Sequence, residues 1–352
     1  MKKIFLMAYV RKNLGDDIFI KMLVEKYPMH IFYLRGKDIA YTDKLSTIPN
    51  LVILPSTPDL NSSLYNSDVN DYDAYVYIGG SIFMENGGTY KHSEEFYQFI
   101  NKCNENNKPF YYLSCNYGPY STQEFFNYSK KIFNKCTDIC FRDKTSYDLF
   151  KDLKTVRYAP DFVFNYKNTD SKKIPNTIGI SVIDLNCRSN LKEKQNDYID
   201  LLVNNIDRYL KSGNSVYLYS FCEYEGDEKT IDTILQKFPN NPNLISVRYD
   251  GDVDKILDTY KKMEYFICSR FHAAILSSIF KQKTFITSYS KKTNNVINDL
   301  GFNLPILNFS EINGSLDLSL DKFRVVPDDK LKLAITEASH QEDGIMSFTN
   351  KI

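Results

Sequence analysis

The chain has 352 residues, 43% of them hydrophobic and 25% charged, and its 44 basic residues are matched by 44 acidic ones. The length exceeds one ordinary core and suits two domains, and the composition is that of a folded rather than a disordered protein. Zero formal net charge argues against nucleic acid as a partner, and no apolar run approaches the ~20 residues of a membrane helix.

Met1-Lys2-Lys3 and the apolar run 4–10 imitate a signal peptide. The run is short, ends in Arg11-Lys12 and has no small-residue cleavage site behind it, so a buried first strand is the better reading. Strands are expected at 3–9, 30–34, 51–54, 73–78, 109–113, 138–141 and 156–159, with helices near 15–26, 92–107, 122–135 and 144–153. A Lys- and Asn-rich stretch without apolar periodicity follows Pro160 and reads as a linker at 166–176. The alternation then restarts. Strands are expected at 178–183, 215–219, 244–248, 264–268 and 284–287, and helices at 193–211, 226–238, 252–262, 271–280 and 292–300. A last helix falls near 327–340. The expected organisation is an N-terminal α/β domain over 1–165, a C-terminal one over 177–325, and a helix and tail over 326–352. Each domain is a doubly wound, Rossmann-like α/β unit, and the two are expected to face each other across a cleft.

Ligands of such sheets bind beyond the carboxyl ends of the strands, and the unusual residues fall there. Asn13-Leu14-Gly15-Asp16-Asp17 follows the first strand, Gly79-Gly80-Ser81 the fourth, Asn116-Tyr117-Gly118-Pro119 the fifth and Arg142-Asp143 the sixth. In the second half Ser269-Arg270-Phe271-His272 joins a strand directly to an apolar helix. A helix start offers free N–H groups and a positive dipole end, Arg270 adds a planar fork for phosphate or carboxylate, and His272 can pass a proton. The same spacing equally suits an ion-paired Arg and a His packed on the turn. One of Asp16 and Asp17 can serve as an ordinary cap, but two adjacent carboxylates cannot both do so, which leaves one for a base or for sugar hydroxyls. Lys291-Lys292 stands at a helix start, where a cation gains nothing from the dipole unless an anion is near.

Absences narrow the chemistry. The sequence has no H-E-x-x-H, no Cys/His quartet, no P-loop, no complete G-x-G-x-x-G and no G-x-S-x-G. Seven cysteines without a CxxC pair read as reduced thiols of a cytosolic protein. No metal and no organic cofactor is expected.

Taken in order, N-x-G-D-D, G-G-S (79–81), N-Y-G-P (116–119), F-R-D (141–143), P-D (160–161), S-R-F-H (269–272) and Y-S-K-K (289–292) resemble the polysaccharide pyruvyl transferase family over roughly residues 5–300. The resemblance implies a GT-B-like fold and transfer of the enolpyruvyl unit of phosphoenolpyruvate to a sugar, usually as a ketal. It implies donor binding by Arg142, Arg270, His272 and Lys292, with Lys291 as the alternative register. On this reading His272 is the general acid, Asp16 or Asp17 the acceptor-side base, and Asn13, Gly80, Ser81 and Asn116 line the acceptor. The acceptor is a saccharide of a cell-surface polysaccharide or its lipid-linked precursor, so the protein is expected in the cytoplasm with at most peripheral contact with the inner leaflet. Two positions depart from the pattern: Thr284 stands where Pro is frequent, and Ser278 where Ala is common. Two other readings remain: a glycosyltransferase of the same fold using a nucleotide sugar, and a non-catalytic glycan-binding protein.

Overall fold

A computed structural model describes residues 1–35, 44–55, 68–85, 94–167, 171–188 and 190–350. His92, one of the chain's four histidines, lies outside them. The chain divides into two compact units. The first comprises Met1–Arg11, Asp16–Asn165 and Ala334–Ile352, and the second Lys12–Gly15 and Tyr166–Leu333.

Among the described residues the first unit carries seven strands: β1 (Lys3–Met7), β2 (Ile31–Arg35), β3 (Leu51–Leu54), β4 (Ala74–Ile78), β5 (Phe110–Cys115), β6 (Asp138–Phe141) and β7 (Val156–Tyr158). They form one parallel sheet in the order β3-β2-β1-β4-β5-β6-β7. Its described helices are α1 (Leu14–Lys26), whose first two residues fall in the second unit, α2 (Glu94–Glu105), α3 (Gln123–Phe133) and α4 (Lys144–Phe150). Every residue of β4 and β5 is buried, as expected of central strands covered on both faces. With no Trp in the chain, Tyr and Phe fill this core. Phe83 packs edge-on to Phe133 and Tyr112 at centroid distances of 4.7 and 4.8 Å, and Phe150 packs on Phe133 and Tyr117 at 4.8 Å each.

The second unit carries β8 (Ile174–Ser181), β9 (Ser215–Tyr219), β10 (Leu244–Val247), β11 (Met263–Cys268), β12 (Lys283–Ser288) and β13 (Ile306–Asn308), all parallel, in the order β10-β9-β8-β11-β12-β13. Its helices are α5 (Gln195–Lys211), α6 (Asp227–Leu235), α7 (Val253–Tyr260), α8 (Phe271–Ile279) and α9 (Lys291–Asp299). This core is mainly aliphatic, with Ile178, Ile180, Leu201, Leu202, Val216 and Leu218 fully buried.

Three local features differ from the sequence expectation, while the helix expected near 327–340 is present. The sheet strand β8 begins at Ile174, inside the stretch read as linker, because its exposed first residues run on to pair Ile174 with Met263 beyond a bulge. The edge strand β13 was not foreseen; three half-buried residues give no periodicity to detect. The closing helix α10 (Asp328–Ala338) spans the point where the chain returns to the first unit, and a further helix, α11 (Asp343–Thr349), follows it.

Each sheet reverses its winding once, at β1/β4 in the first unit and at β8/β11 in the second. Such switch points open crevices at the carboxyl ends of the strands.

Candidate functional site

In the second unit, Ser269-Arg270-Phe271-His272 leaves β11 at the switch point. Ser181, the last residue of β8, accepts from the Ser269 and Arg270 N–H groups at 2.9 and 3.3 Å, tying the two strand ends together. Arg270 is the N-cap residue of α8, in extended conformation and without a side-chain cap. Its guanidinium turns inward to carboxylates: NH1 donates to Glu225 Oε2 and NH2 to Asp227 Oδ1. The spacing left open whether Arg270 faces an anion or an ion pair; the side chain is 7% exposed and ion-paired.

Asp227 is fully buried and also accepts from the Phe221 and Cys222 N–H groups at 2.9 and 3.0 Å. Burial raises its carboxyl above the ordinary value, with Arg270 opposing. For Glu225 burial also pushes upward, but Arg270 and Arg188 more than offset it and the carboxyl ends below its ordinary value. Burial lowers Arg270, and the two carboxylates overcome that, so the guanidinium stays charged.

His272 sits in the first turn of α8, half-buried, with its ring 5.1 Å from that of Phe271. It lies against Gly15, where a Cβ would meet Nδ1 at 1.8 Å. The segment carrying Gly15 is fixed within this unit by an antiparallel bridge from Asn13 to Cys222 and by the Leu14 N–H donating to Phe221 O at 2.9 Å. Asn13 Oδ1 accepts from the Gly15 N–H at 3.1 Å, so the residue preceding α1 is a turn-forming Asn, and both aspartates fall in the first helical turn. Lys291 and Lys292 occupy the first turn of α9 at the carboxyl end of β12, with Ser290 capping through its hydroxyl to Lys292 N at 3.2 Å. Burial pushes the nearby Cys222 and Cys268 thiols up to about 12, so neither is a nucleophile at neutral pH.

In the first unit, Arg142, Asn116, Ser81 and Gly80 come together at the carboxyl ends of β4, β5 and β6. Arg142 donates to Asp161 Oδ2 and Asn116 Oδ1, each at 2.9 Å, and Ser81 Oγ donates to Asn116 Oδ1 at 3.4 Å. Arg142 is 5% exposed and Asp161 fully buried. Gly80 lies against the guanidinium; a Cβ there would stand 2.2 Å from NH2. Because arginine only donates, Asn116 must turn its Oδ1 to it, and its buried Nδ2 has no hydrogen-bond partner. Asp17 is fully buried in α1 and Asp16 half-exposed. Asp143 caps α4 through Ser146 N at 2.8 Å.

The structure brings Arg142, Asn116, Gly80 and Ser81 together; the P-D motif marks Asp161, but the sequence does not pair it with Arg142, nor Arg270 with Glu225, Asp227 and Arg188. Glu225 and Asp227 stand in the polar stretch after β9, which could have flagged them; Arg188 has no local signal.

Solved structures with this fold include S. aureus MnaA with UDP, 12% identical at a TM-score of 0.61 over 100% of this chain and 98% of that one. Anabaena HepE in complex with UDP-glucose is 11% identical at 0.61 over 100% of both chains. The UDP-GlcNAc 2-epimerase of Methanocaldococcus jannaschii is 10% identical at 0.55 over 95% of this chain and 91% of that one. These likenesses show the fold alone, the GT-B class of two parallel-sheet α/β domains expected from the sequence. The family model for polysaccharide pyruvyl transferase matches residues 13–291, a span that contains both clusters except Lys292. The chain belongs to the polysaccharide pyruvyl transferase family.

Proposed function

We propose that the protein moves the pyruvyl unit of phosphoenolpyruvate onto a saccharide and closes it as a ketal across two hydroxyls. The supporting observation is the pair of helix starts on adjacent strands of the second sheet, α8 with His272 in its first turn and α9 with Lys291 and Lys292. Phosphoenolpyruvate carries a phosphate and a carboxylate on three carbons, and N–H groups and cations at fixed close spacing suit it.

In the proposed reaction His272, as imidazolium, protonates the methylene carbon. The adjacent carbon becomes oxocarbenium-like and a sugar hydroxyl adds to it, giving up its proton. The bond from that carbon to the phosphate oxygen then breaks, inorganic phosphate leaves, and a second hydroxyl bonds to the carbon to close the ketal, its proton going to the departing phosphate. Of the two aspartates, Asp16 is assigned to the acceptor hydroxyl, because Asp17 is fully buried. Asn13, Gly80, Ser81 and Asn116 carry hydrogen-bonding groups that suit a sugar. Arg142 is kept as a donor-side residue from the family resemblance, although its neighbours are Asp161 and Asn116. We assign the reaction to the cytosol, with a free or lipid-linked acceptor. Among the described residues no helix is long and apolar enough to cross a membrane.

Thermal shift tests the donor, since a ligand that binds only the native state must raise Tm. Phosphoenolpyruvate should protect, and phosphate should be released when an acceptor saccharide is added. The UDP-bound structures of the same fold favour one competing reading. Protection by UDP-sugars with none by phosphoenolpyruvate would replace the pyruvyl donor with a nucleotide sugar.

A further inference from the structure

Arg188 and Arg270 grip the same carboxylate oxygen. Arg188 NH2 donates to Glu225 Oε2 at 2.9 Å, and Arg270 NH1 donates to that same atom. Arg188 belongs to the loop after β8 and Arg270 to the turn after β11, the two strands that flank the switch point. Neither arginine depends on Glu225 for its place. Arg270 is also held by Asp227, and Arg188 lies over the Tyr289 ring with its guanidinium carbon 4.1 Å from the centroid. Tyr289 immediately precedes Ser290, the cap of the helix that carries Lys291 and Lys292. Both guanidiniums retain a buried Nε–H without a partner.

The two carboxylates differ. Asp227 has no exposed side-chain surface and holds two backbone N–H groups as well as Arg270, which makes it a fixed brace. Glu225 is 24% exposed and lies in a single short turn, Glu223–Glu225, that ends at Gly226 with φ +84°. A solvent-facing carboxylate held by two arginines offers them what a small anionic ligand offers: charged oxygen for a planar fork.

We propose that in the free protein Glu225 stands where an anionic group of the ligand, carboxylate or phosphate, binds, and that the ligand takes Arg188 and Arg270 from it. Only the choice of phosphoenolpyruvate as probe rests on the proposed function; the anion chemistry does not. Arg188 is then a ligand-binding residue and Glu225 a competitor within the chain. The four side chains Arg188, Arg270, Glu225 and Asp227 sum to zero charge, and neutralising Glu225 leaves them at a net positive charge.

The sign of one substitution separates competitor from support. In calorimetric titrations of the full chain, Glu225→Gln should bind phosphoenolpyruvate about tenfold more tightly than wild type, and Arg188→Gln at least about tenfold more weakly. Parallel titrations with pyruvate and inorganic phosphate tell which group Glu225 replaces, because only that one should tighten in Glu225→Gln. If phosphoenolpyruvate binds neither protein while phosphate binds Glu225→Gln more tightly, the pyruvyl donor is wrong and the anion site stands. If Glu225→Gln binds all three anions as wild type does, or more weakly, Glu225 supports the arginines and the proposal falls. Glu225→Ala is the second variant, and failure of both to fold also makes Glu225 a brace and overturns the proposal.

Discussion

Gly15 and His272 are in direct apposition: a Cβ on Gly15 would lie 1.8 Å from Nδ1 of the imidazole and 2.6 Å from its Cγ. No rotamer change confined to Gly15 can relieve that overlap, so the imidazole or the segment must move. The bridge from Asn13 to Cys222 and the Leu14 hydrogen bond to Phe221 hold the segment, which leaves the ring as the part that yields.

Gly15→Ala should therefore resemble loss of the general acid. His272→Ala is expected to cut turnover by about 10²–10⁴-fold, and Gly15→Ala should approach the same value with its fold intact. The double variant should be no slower than His272→Ala alone, since both changes act on one ring. Turnover near wild type in Gly15→Ala would show that the imidazole is not the proton donor or that the segment shifts freely.

Arg270 and His272 should part in stability. Arg270 is buried between two carboxylates, so Arg270→Gln leaves Asp227 inside without its counter-charge, a change that typically costs about 3–5 kcal/mol. Arg270→Lys keeps the charge but cannot span both partners and should lose less. Urea unfolding of the two variants beside His272→Ala checks this, with His272→Ala expected near wild type. Equal stability in all three would mean that the guanidinium contributes nothing to the fold.

That contrast marks how far the sequence could be read. The runs at 51–54 and 138–141 coincide with β3 and β6 because each is a short, mostly apolar run; β6 is buried from Ile139 onward, whereas β3 is an edge strand of which Leu51 alone is buried. The S-R-F-H turn was legible because a strand end abuts a helix start. What the spacing could not carry was the direction of the guanidinium. Its partners lie 45 and 43 residues earlier, in the short turn after β9 and at the first residue of α6, brought to the same end of the sheet by strand order. Arg188 was invisible for the same reason, as was β13, whose three residues are set by pairing with β12 rather than by their own pattern.

Glu85 gives a pH dependence of known sign. Hydrogen bonds from the Ser121 and Thr122 hydroxyls, assisted by their N–H groups, hold its carboxyl down at about 2. Thr122 in turn caps α3 by accepting from Phe125 N at 3.2 Å. A carboxyl depressed in the folded state stabilises above its ordinary titration range and loses that contribution as pH falls toward the folded value. Wild type should melt above Glu85→Gln at neutral pH, and the gap should close between about pH 4.5 and 2. A gap that persists unchanged at pH 2 would show that the carboxylate charge is not what anchors the start of α3.

Gln341 should be the most sensitive position of the returning C-terminal segment. At Ser114 the pairing of β5 with β6 slips by one residue, and the bulged residue takes φ +57°. Its N–H therefore has no partner in the ladder and donates instead to Gln341 Oε1 at 2.9 Å. Gln341 Nε2 donates to Ala159 O at 2.6 Å, and the side chain is fully buried. Gln341→Leu preserves the volume but strands both backbone groups, at about 1–3 kcal/mol for each. The bulge also leads directly into Asn116, and Arg142 N donates to Cys115 O at 2.9 Å, so relaxation at Ser114 reaches the polar cluster of the first unit. Chemical denaturation should show a loss of several kcal/mol for Gln341→Leu and almost none for Ser347→Ala, an exposed change on α11. Hydrogen exchange at Ser114 should rise selectively in the first variant. Wild-type stability and exchange there would mean that the bulge is held by β5 and β6 alone.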